Sequence, residues 1–296
     1  MREKEAKTIL STQNGMNIYR GGTDGLLSYD TRNAGDRRRE EGSGAEVKIN
    51  APQLLEVALR RKRSKCMIVA GALGDPYQPE EAERKLMRRC LELIDRYGFG
   101  VTIQTKSDLL LRDLELLKSI NRKSRCIVQM TLTAADEALN QKLEPGACST
   151  ARRVETLKRL RDAGIPTVAW LMPVLPFIND SIENLERLLE SCVEARVYGV
   201  LNYGFGLMLR PGERDSYYAK LEQLFPGLRE QYRKTYGEVN EFPALEREAL
   251  EACFHRTCAA YHIESSADKI FTYLHAFIDR EAGEQLSLED VFGEMP

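Results

Sequence analysis

The sequence is poor in histidine, in net charge and in long apolar runs, and each shortage excludes something. Its only histidines are His255, His262 and His275, all near the C-terminal end. Ser-His-Asp catalysis therefore finds little support, since no imidazole lies near the loops where a nucleophile would sit. Forty-three Lys and Arg against 45 Asp and Glu leave a formal charge of −2. No global field draws in nucleic acid, so that partner is unsupported by charge, and only a local basic patch stays open. No apolar run approaches the ~20 residues of a membrane span. The opening M-R-E-K-E-A-K has no signal-peptide apolar centre. The expectation is a cytoplasmic protein with no membrane partner.

Cysteine pairs of the zinc-binding C-x2-C kind are also missing. Cys66, Cys90, Cys126, Cys148, Cys192, Cys253 and Cys258 are odd in number and widely spaced. They read as reduced, buried thiols. His255, Cys258 and His262 would share one stripe of a helix, with Cys253 nearby, but a zinc site draws ligands from more than one segment. A packed helix face is the preferred reading, and no metal is expected there.

What is present is a rhythm. Continuous apolar runs such as Cys66–Ala70 and Arg125–Leu132 suit buried parallel strands. Further strands are expected at Met16–Arg20, Gly100–Ile103, Pro166–Leu175 and Tyr198–Tyr203. Helical spacing connects them at Pro52–Leu59, Glu80–Tyr97, Asp108–Ile120, Thr150–Ala163 and Ser181–Ala195. The alternation implies right-handed βαβ units and a parallel sheet of six strands. A curved partial barrel and an open doubly wound sheet both fit. In either, ligands gather at the C-terminal ends of the strands. From Phe205 onward the rhythm becomes helical. The chain is expected to divide into a barrel-like part, 1–205, and a helical extension, 206–296, packed on the barrel's open edge.

Several loops carry candidate chemistry. Y-R-G-G-T-D-G-L-L-S-Y-D-T-R, residues 19–32, is glycine-rich and follows the first strand. Residues 36–44 form a mixed charge run, read as a solvated loop. After the second strand, Gly71 allows close backbone approach, Asp75 offers a carboxylate and Tyr77 an aromatic face. The alternative is a plain strand-to-helix turn. Lys106 ends the third strand, where it can meet a carboxylate or phosphate, with Ser107 or Asp108 as the following N-cap. Glu144 precedes a capped helix bearing Arg152 and Arg153; one arginine near a site could clamp a carboxylate bidentately, the alternative being an ordinary solvated helix arginine. Asn179 or Asp180 is expected to cap the helix after the fifth strand.

Taken in order, these stretches resemble a known family. G-M-N-I-Y-R-G, E-V-K-I-N-A-P, S-K-C-M-I, G-D-P-Y-Q-P-E and Y-G-F-G-V-T-I-Q-T-K-S-D are followed by Q-M-T-L-T. Then come E-P with Arg153 nine residues after Glu144, I-P-T-V-A-W-L-M-P-V-L-P-F-I-N-D and F-P-G-L-R-E-Q-Y. The chain is similar to radical S-adenosylmethionine (SAM) proteins, and more narrowly to the spore photoproduct lyase-related group. That resemblance implies a partial (β/α)6 TIM-like barrel. It also implies a first loop with C-x3-C-x2-C, whose thiolates hold a [4Fe–4S] cluster that reductively cleaves SAM. Aligned on Y-R-G and D-T-R, the three ligand positions fall on Gly22, Leu26 and Tyr29, and Asp24 stands where relatives often have histidine. The expectation is a radical SAM-fold protein without cluster or radical chemistry, a pseudoenzyme binding SAM, a nucleotide-like ligand or a protein partner. The alternative is a radical SAM enzyme whose cysteines are altered in this copy, with nucleic acid among its substrates. By resemblance, the cofactor-binding residues would be Gly71, Asp75, Tyr77, Lys106, Glu144 and Arg153, with Arg153 pairing with the SAM carboxylate.

Overall fold

The computed structural model describes residues 1–11, 15–21, 26 and 45–280. Gly22, Asp24, Tyr29 and the charge run 36–44 lie outside the described residues.

Six parallel strands form the centre. They are β1 (Gly15–Met16), β2 (Met67–Ala70), β3 (Gly100–Thr105), β4 (Cys126–Thr131), β5 (Thr167–Trp170) and β6 (Gly199–Leu201), side by side in chain order. Leu10–Ser11 adds an antiparallel seventh strand beside β1. Helices α1 (Ala51–Arg61), α2 (Glu81–Arg84), α3 (Leu86–Tyr97), α4 (Leu114–Lys123), α5 (Glu137–Leu143), α6 (Thr150–Asp162) and α7 (Ile182–Ala195) fill the crossovers. Sequential parallel order with a helix after each strand is the topology of a partial (β/α)6 barrel.

Strand parity sorts the two faces. Ile68, Ala70, Val101, Ile103, Cys126, Val128, Met130, Ala169 and Val200 enter the main core with Leu55, Leu91, Leu117, Leu157 and Leu189 of the outer helices. The alternate residues Met67, Ile127, Val168 and Leu201 form a separate core with Ile270 and Leu274. The inner face of the sheet is thus filled at one end by the chain's own C-terminal segment.

Three elements depart from the sequence reading. The expected strand Met16–Arg20 splits: Gly15–Met16 joins the barrel, whereas Tyr19–Arg20 pairs with Glu46–Lys48, which also pairs with Arg2–Lys4. The expected helix over 80–97 breaks at Lys85, which adopts φ 53°. Buried Glu81 explains the restart, since its carboxylate accepts from the backbone N–H of Met87 at 2.9 Å and of Arg88 at 3.2 Å. That carboxylate takes up two donors a new helix start leaves open. The cap after β5 is Ser181, whose hydroxyl accepts from Asn184 N at 3.1 Å. Asn179 instead closes its own loop, donating to Thr133 O at 2.8 Å and accepting from Leu175 N at 2.6 Å. Ser107 fills the other expected cap, on a 3-10 turn over Asp108–Asp113 that leads into α4.

After β6 come α8 (Arg214–Leu224), α9 (Leu228–Tyr236), α10 (Arg247–Ala260) and α11 (Ala267–His275), with a short ribbon pairing Gly206–Met208 and Glu241–Pro243. Tyr217, Tyr218, Tyr232 and Phe242 form an aromatic cluster with Ala134, Leu143 and Leu175 of the barrel loops. Cys253 and Cys258 face inward from α10 into the main core, while His255 is exposed and His262 lies past the helix end. The stripe considered for a metal does not exist, and no metal-sized group of His, Cys, Asp and Glu occurs among the described residues. No helix among them is long and apolar enough to cross a membrane. At the outer edge of β6, Val200 N donates to Glu264 O at 2.9 Å, and Glu264 N to Tyr198 O at 3.1 Å.

Candidate active site

The site is built at the C-terminal ends of β2, β3 and β4. Gly71 follows β2 with φ +96°, and a Cβ there would lie 2.1 Å from the Gln104 carbonyl oxygen of β3. Only glycine lets the two strands run this close. Four residues later, Asp75 turns its carboxylate back onto β3. Oδ1 accepts from Thr105 Oγ1 at 2.6 Å and from Tyr77 N at 2.8 Å, and Oδ2 accepts from Lys106 N at 2.7 Å. Burial pushes this carboxyl up from its ordinary value, while the three donors and the Lys106 charge hold it down. The loop is thereby pinned to the next strand.

Lys106 continues the chain of contacts. Its Nζ donates to Glu144 Oε1 at 2.6 Å, and Thr133 Oγ1 approaches the same oxygen at 3.3 Å. The other oxygen, Oε2, accepts from Arg153 Nη2 at 2.7 Å. Arg153 is wholly enclosed. It also donates from Nη1 to Thr131 O at 2.9 Å and from Nε to Cys148 O at 3.0 Å. Burial raises the Glu144 carboxyl, but Lys106 and Arg153 outweigh it, and the pKa falls to about 2. A cation–carboxylate–cation triad so buried is costly to assemble, and each member depends on the other two. The Cys148 thiol donates to Lys106 O at 3.0 Å, and burial pushes its pKa up, which makes it a poor nucleophile.

The structure therefore joins Asp75, Lys106, Glu144 and Arg153 into one assembly beside Gly71. The carboxylate that Arg153 meets is the chain's own. Tyr77 belongs to a second network. It is 1% exposed, and its hydroxyl donates to Asp113 Oδ2 at 3.2 Å. Arg88 and Arg112 bind the Asp113 carboxylate, Arg112 also holds Glu81 at 2.8 Å, and Tyr19 donates to Glu81 at 2.6 Å. This network ties α2, α3 and the turn before α4 under the loop.

Sequence reasoning passed over the inner face of the sheet. Trp170 Nε1 donates to Gln129 Oε1 at 2.9 Å, and Gln129 Nε2 donates to Thr102 Oγ1 at 2.9 Å. Tyr203 lies 5.9 Å from Trp170, centroid to centroid, and remains 52% exposed. A glutamine inside the run C-I-V-Q-M-T was the available signal, because a buried strand seldom places an amide without a partner for it.

A family profile for the radical SAM superfamily matches residues 36–192. This chain belongs to the radical SAM superfamily. An uncharacterized protein of Mycobacterium tuberculosis is 31% identical to this radical SAM protein over 218 residues, 73% of this chain and 64% of the relative. An uncharacterized protein of Methanocaldococcus jannaschii is 34% identical over 139 residues, 47% of this chain and 51% of the relative. The chain thus spans between half and two-thirds of these relatives' length. In fold it is similar to spore photoproduct lyase complexed with dinucleoside spore photoproduct, with TM-score 0.58, 13% identity and coverage of 89% of this chain and 80% of the other. A lyase variant with bound AdoMet and the same dinucleoside has TM-score 0.57, 13% identity and the same coverages, 89% and 80%. These likenesses agree with the radical SAM fold and with the partial barrel. The profile match begins at residue 36, past the glycine-rich loop.

One residue of that loop is described. Leu26 is 9% exposed and joins the apolar cluster of Ala134, Leu143, Leu175 and Tyr217. Leu26→Ala is expected to cost about 2–3 kcal/mol of unfolding free energy, the usual loss for a buried leucine, measured by urea denaturation.

Proposed function

We propose that this radical SAM protein works without a [4Fe–4S] cluster, as a pseudoenzyme that binds SAM or a related nucleoside. The observation that supports it is Leu26. At the position matching the second of the family's three thiolates stands an apolar side chain packed among aromatics. Gly22 and Tyr29, at the other two matched positions, supply no thiolate either. Such clusters are held by Cys thiolates, so the donors present do not fit one. The remaining seven cysteines are dispersed through other elements.

The mouth of the barrel keeps a different capability. The methionine end of SAM carries a carboxylate for Lys106 to meet, while Glu144, its own oxygens taken up by Lys106 and Arg153, holds that ammonium in place. The backbone at Gly71, bare of a side chain, can border the ligand closely. Asp75 and Arg153 act as positioning residues, since each holds another member of the assembly rather than facing outward. Trp170 and Tyr203 supply an aromatic shelf on the inner face for a base. Without the iron that anchors the amino-acid end in the family, affinity rests on these groups alone.

The test is anaerobic purification and reconstitution with iron and sulfide, followed by calorimetric titration with SAM and S-adenosylhomocysteine. The protein is expected to stay colourless, form no 5′-deoxyadenosine and bind at least one of the two ligands. Lys106→Met should weaken that binding about tenfold, the effect of losing one charge-assisted hydrogen bond. Stoichiometric iron with SAM cleavage would overturn the proposal. Absence of binding by either ligand would remove its ligand half and leave an interaction scaffold.

A further inference from the structure

The α8–α9 hairpin carries two buried donors that nothing among the described residues satisfies. The Tyr218 side chain is 2% exposed, yet its hydroxyl has no hydrogen-bond partner. The Nε of Arg229 is likewise buried without an acceptor. A buried donor left unpaired costs roughly 1–3 kcal/mol, so two together in one hairpin call for an explanation. Two cations surround them. The Arg233 guanidinium sits 5.9 Å from the centre of the Tyr218 ring, and Arg214 is the third basic residue nearby. Burial pushes the Tyr218 phenol up and the Glu238 carboxylate adds to the rise, while the charges of Arg214, Arg233 and Arg229 pull it back down.

Three carboxylates around the hairpin have partners of their own. Glu238 pairs with Arg214 at 2.6 Å, and Glu230 lies 3.9 Å from Lys234. Glu222 accepts from Gly227 N at 3.0 Å. Among the described residues, neither Arg229 nor Arg233, one helical turn apart on α9, forms an ion pair with a carboxylate.

A guanidinium only donates, so the arginines cannot satisfy the phenolic proton, and the phenol cannot neutralise them. What would satisfy all of them is an anion with several acceptor oxygens. A carboxylate has two oxygens and one charge. A phosphate monoester or inorganic phosphate has three or more oxygens and close to two charges at neutral pH. Arginine pairs favour that geometry. We propose that Tyr218, Arg229 and Arg233 form a phosphate-binding site on the α8–α9 hairpin, separate from the assembly of Lys106, Glu144 and Arg153.

The test uses the full chain and inorganic phosphate, followed by phosphorus NMR line broadening and by thermal melts against sodium chloride of equal ionic strength. Wild-type protein should broaden the phosphate signal and melt higher in phosphate than in chloride. Arg229→Gln combined with Arg233→Gln should weaken binding at least about tenfold. Tyr218→Phe should melt no lower than wild type in chloride, because it removes an unpaired hydroxyl, and should lose several-fold in phosphate affinity. An equal response to phosphate in wild type and both variants would overturn the site, as would no phosphate-specific response in wild type.

Discussion

Glu144→Ala is expected to remove about 3–5 kcal/mol of unfolding free energy. The substitution deletes the one carboxylate between Lys106 and Arg153. It removes the carboxylate shared by an enclosed guanidinium and a nearly enclosed ammonium, and breaking such a buried pairing is strongly destabilising. Urea denaturation at neutral pH measures it. Lys106→Met should cost clearly less, since Glu144 keeps Arg153 and the Thr133 contact. If both substitutions cost under about 1 kcal/mol, a surface-pair magnitude, the assembly is not the keystone of the mouth.

The same carboxylate sets a pH dependence. The folded-state pKa of Glu144 lies at about 2, below the ordinary value of 4.5. A depressed carboxyl contributes stability that is fully present above its unfolded pKa and is lost as pH falls through the folded one. Wild-type stability should therefore decline between roughly pH 5 and pH 2. Glu144→Gln should flatten that decline, as followed by denaturant midpoints across the range.

Gly71→Ala should be the second severe change, costing about 3–5 kcal/mol from positive-φ strain and overpacking together. The φ of +96° strains any L side chain, and the new methyl would meet the Gln104 carbonyl 2.1 Å away. Relief requires β2 and β3 to part at their C-terminal ends. That movement would pull Asp75 from Thr105 and from Lys106 N, so the ligand titration should lose affinity along with the thermal midpoint. Gly164→Ala makes a useful contrast. Its φ is +71°, but nothing lies within 4 Å of the added methyl, so only the backbone cost of roughly 1–2 kcal/mol remains.

The architecture was largely legible because a buried parallel strand leaves a signature that tertiary context rarely erases. C-M-I-V-A and R-C-I-V-Q-M-T-L are predominantly apolar runs without period-two alternation, and both became central strands. The break at Lys85 was not legible, because it depends on a carboxylate folding back to meet Met87 and Arg88. Helix α5 was missed for a related reason: seven residues are too few to show a period, and Asp136 caps them by accepting from Leu139 N at 2.7 Å. The split of the first strand between two sheets follows from where Glu46–Lys48 lies, 26 residues beyond Arg20 in the chain. No local pattern carries that.

The residues that cluster at the mouth were singled out one by one in the sequence, but their pairing was not legible there. Asp75, Lys106, Glu144 and Arg153 were marked by family motifs and by their place at strand ends. Their mutual pairing is a three-dimensional fact, and it leads Arg153 to a carboxylate within the chain. Tyr77 shows the opposite case. An aromatic beside Asp75 suggests a ligand shelf, yet its ring is enclosed and its hydroxyl serves Asp113.

The contact between Glu264 and β6 has a consequence for self-association. A barrel with a missing wall ends in a strand whose amides and carbonyls could recruit the same strand of another copy. Here Glu264 occupies that position with its own backbone, through Val200 N and Tyr198 O. The guard is supplied by the stretch that follows α10. A truncation before residue 264 would leave the rim of β6 open. Such a fragment should form concentration-dependent oligomers by light scattering where the full chain does not.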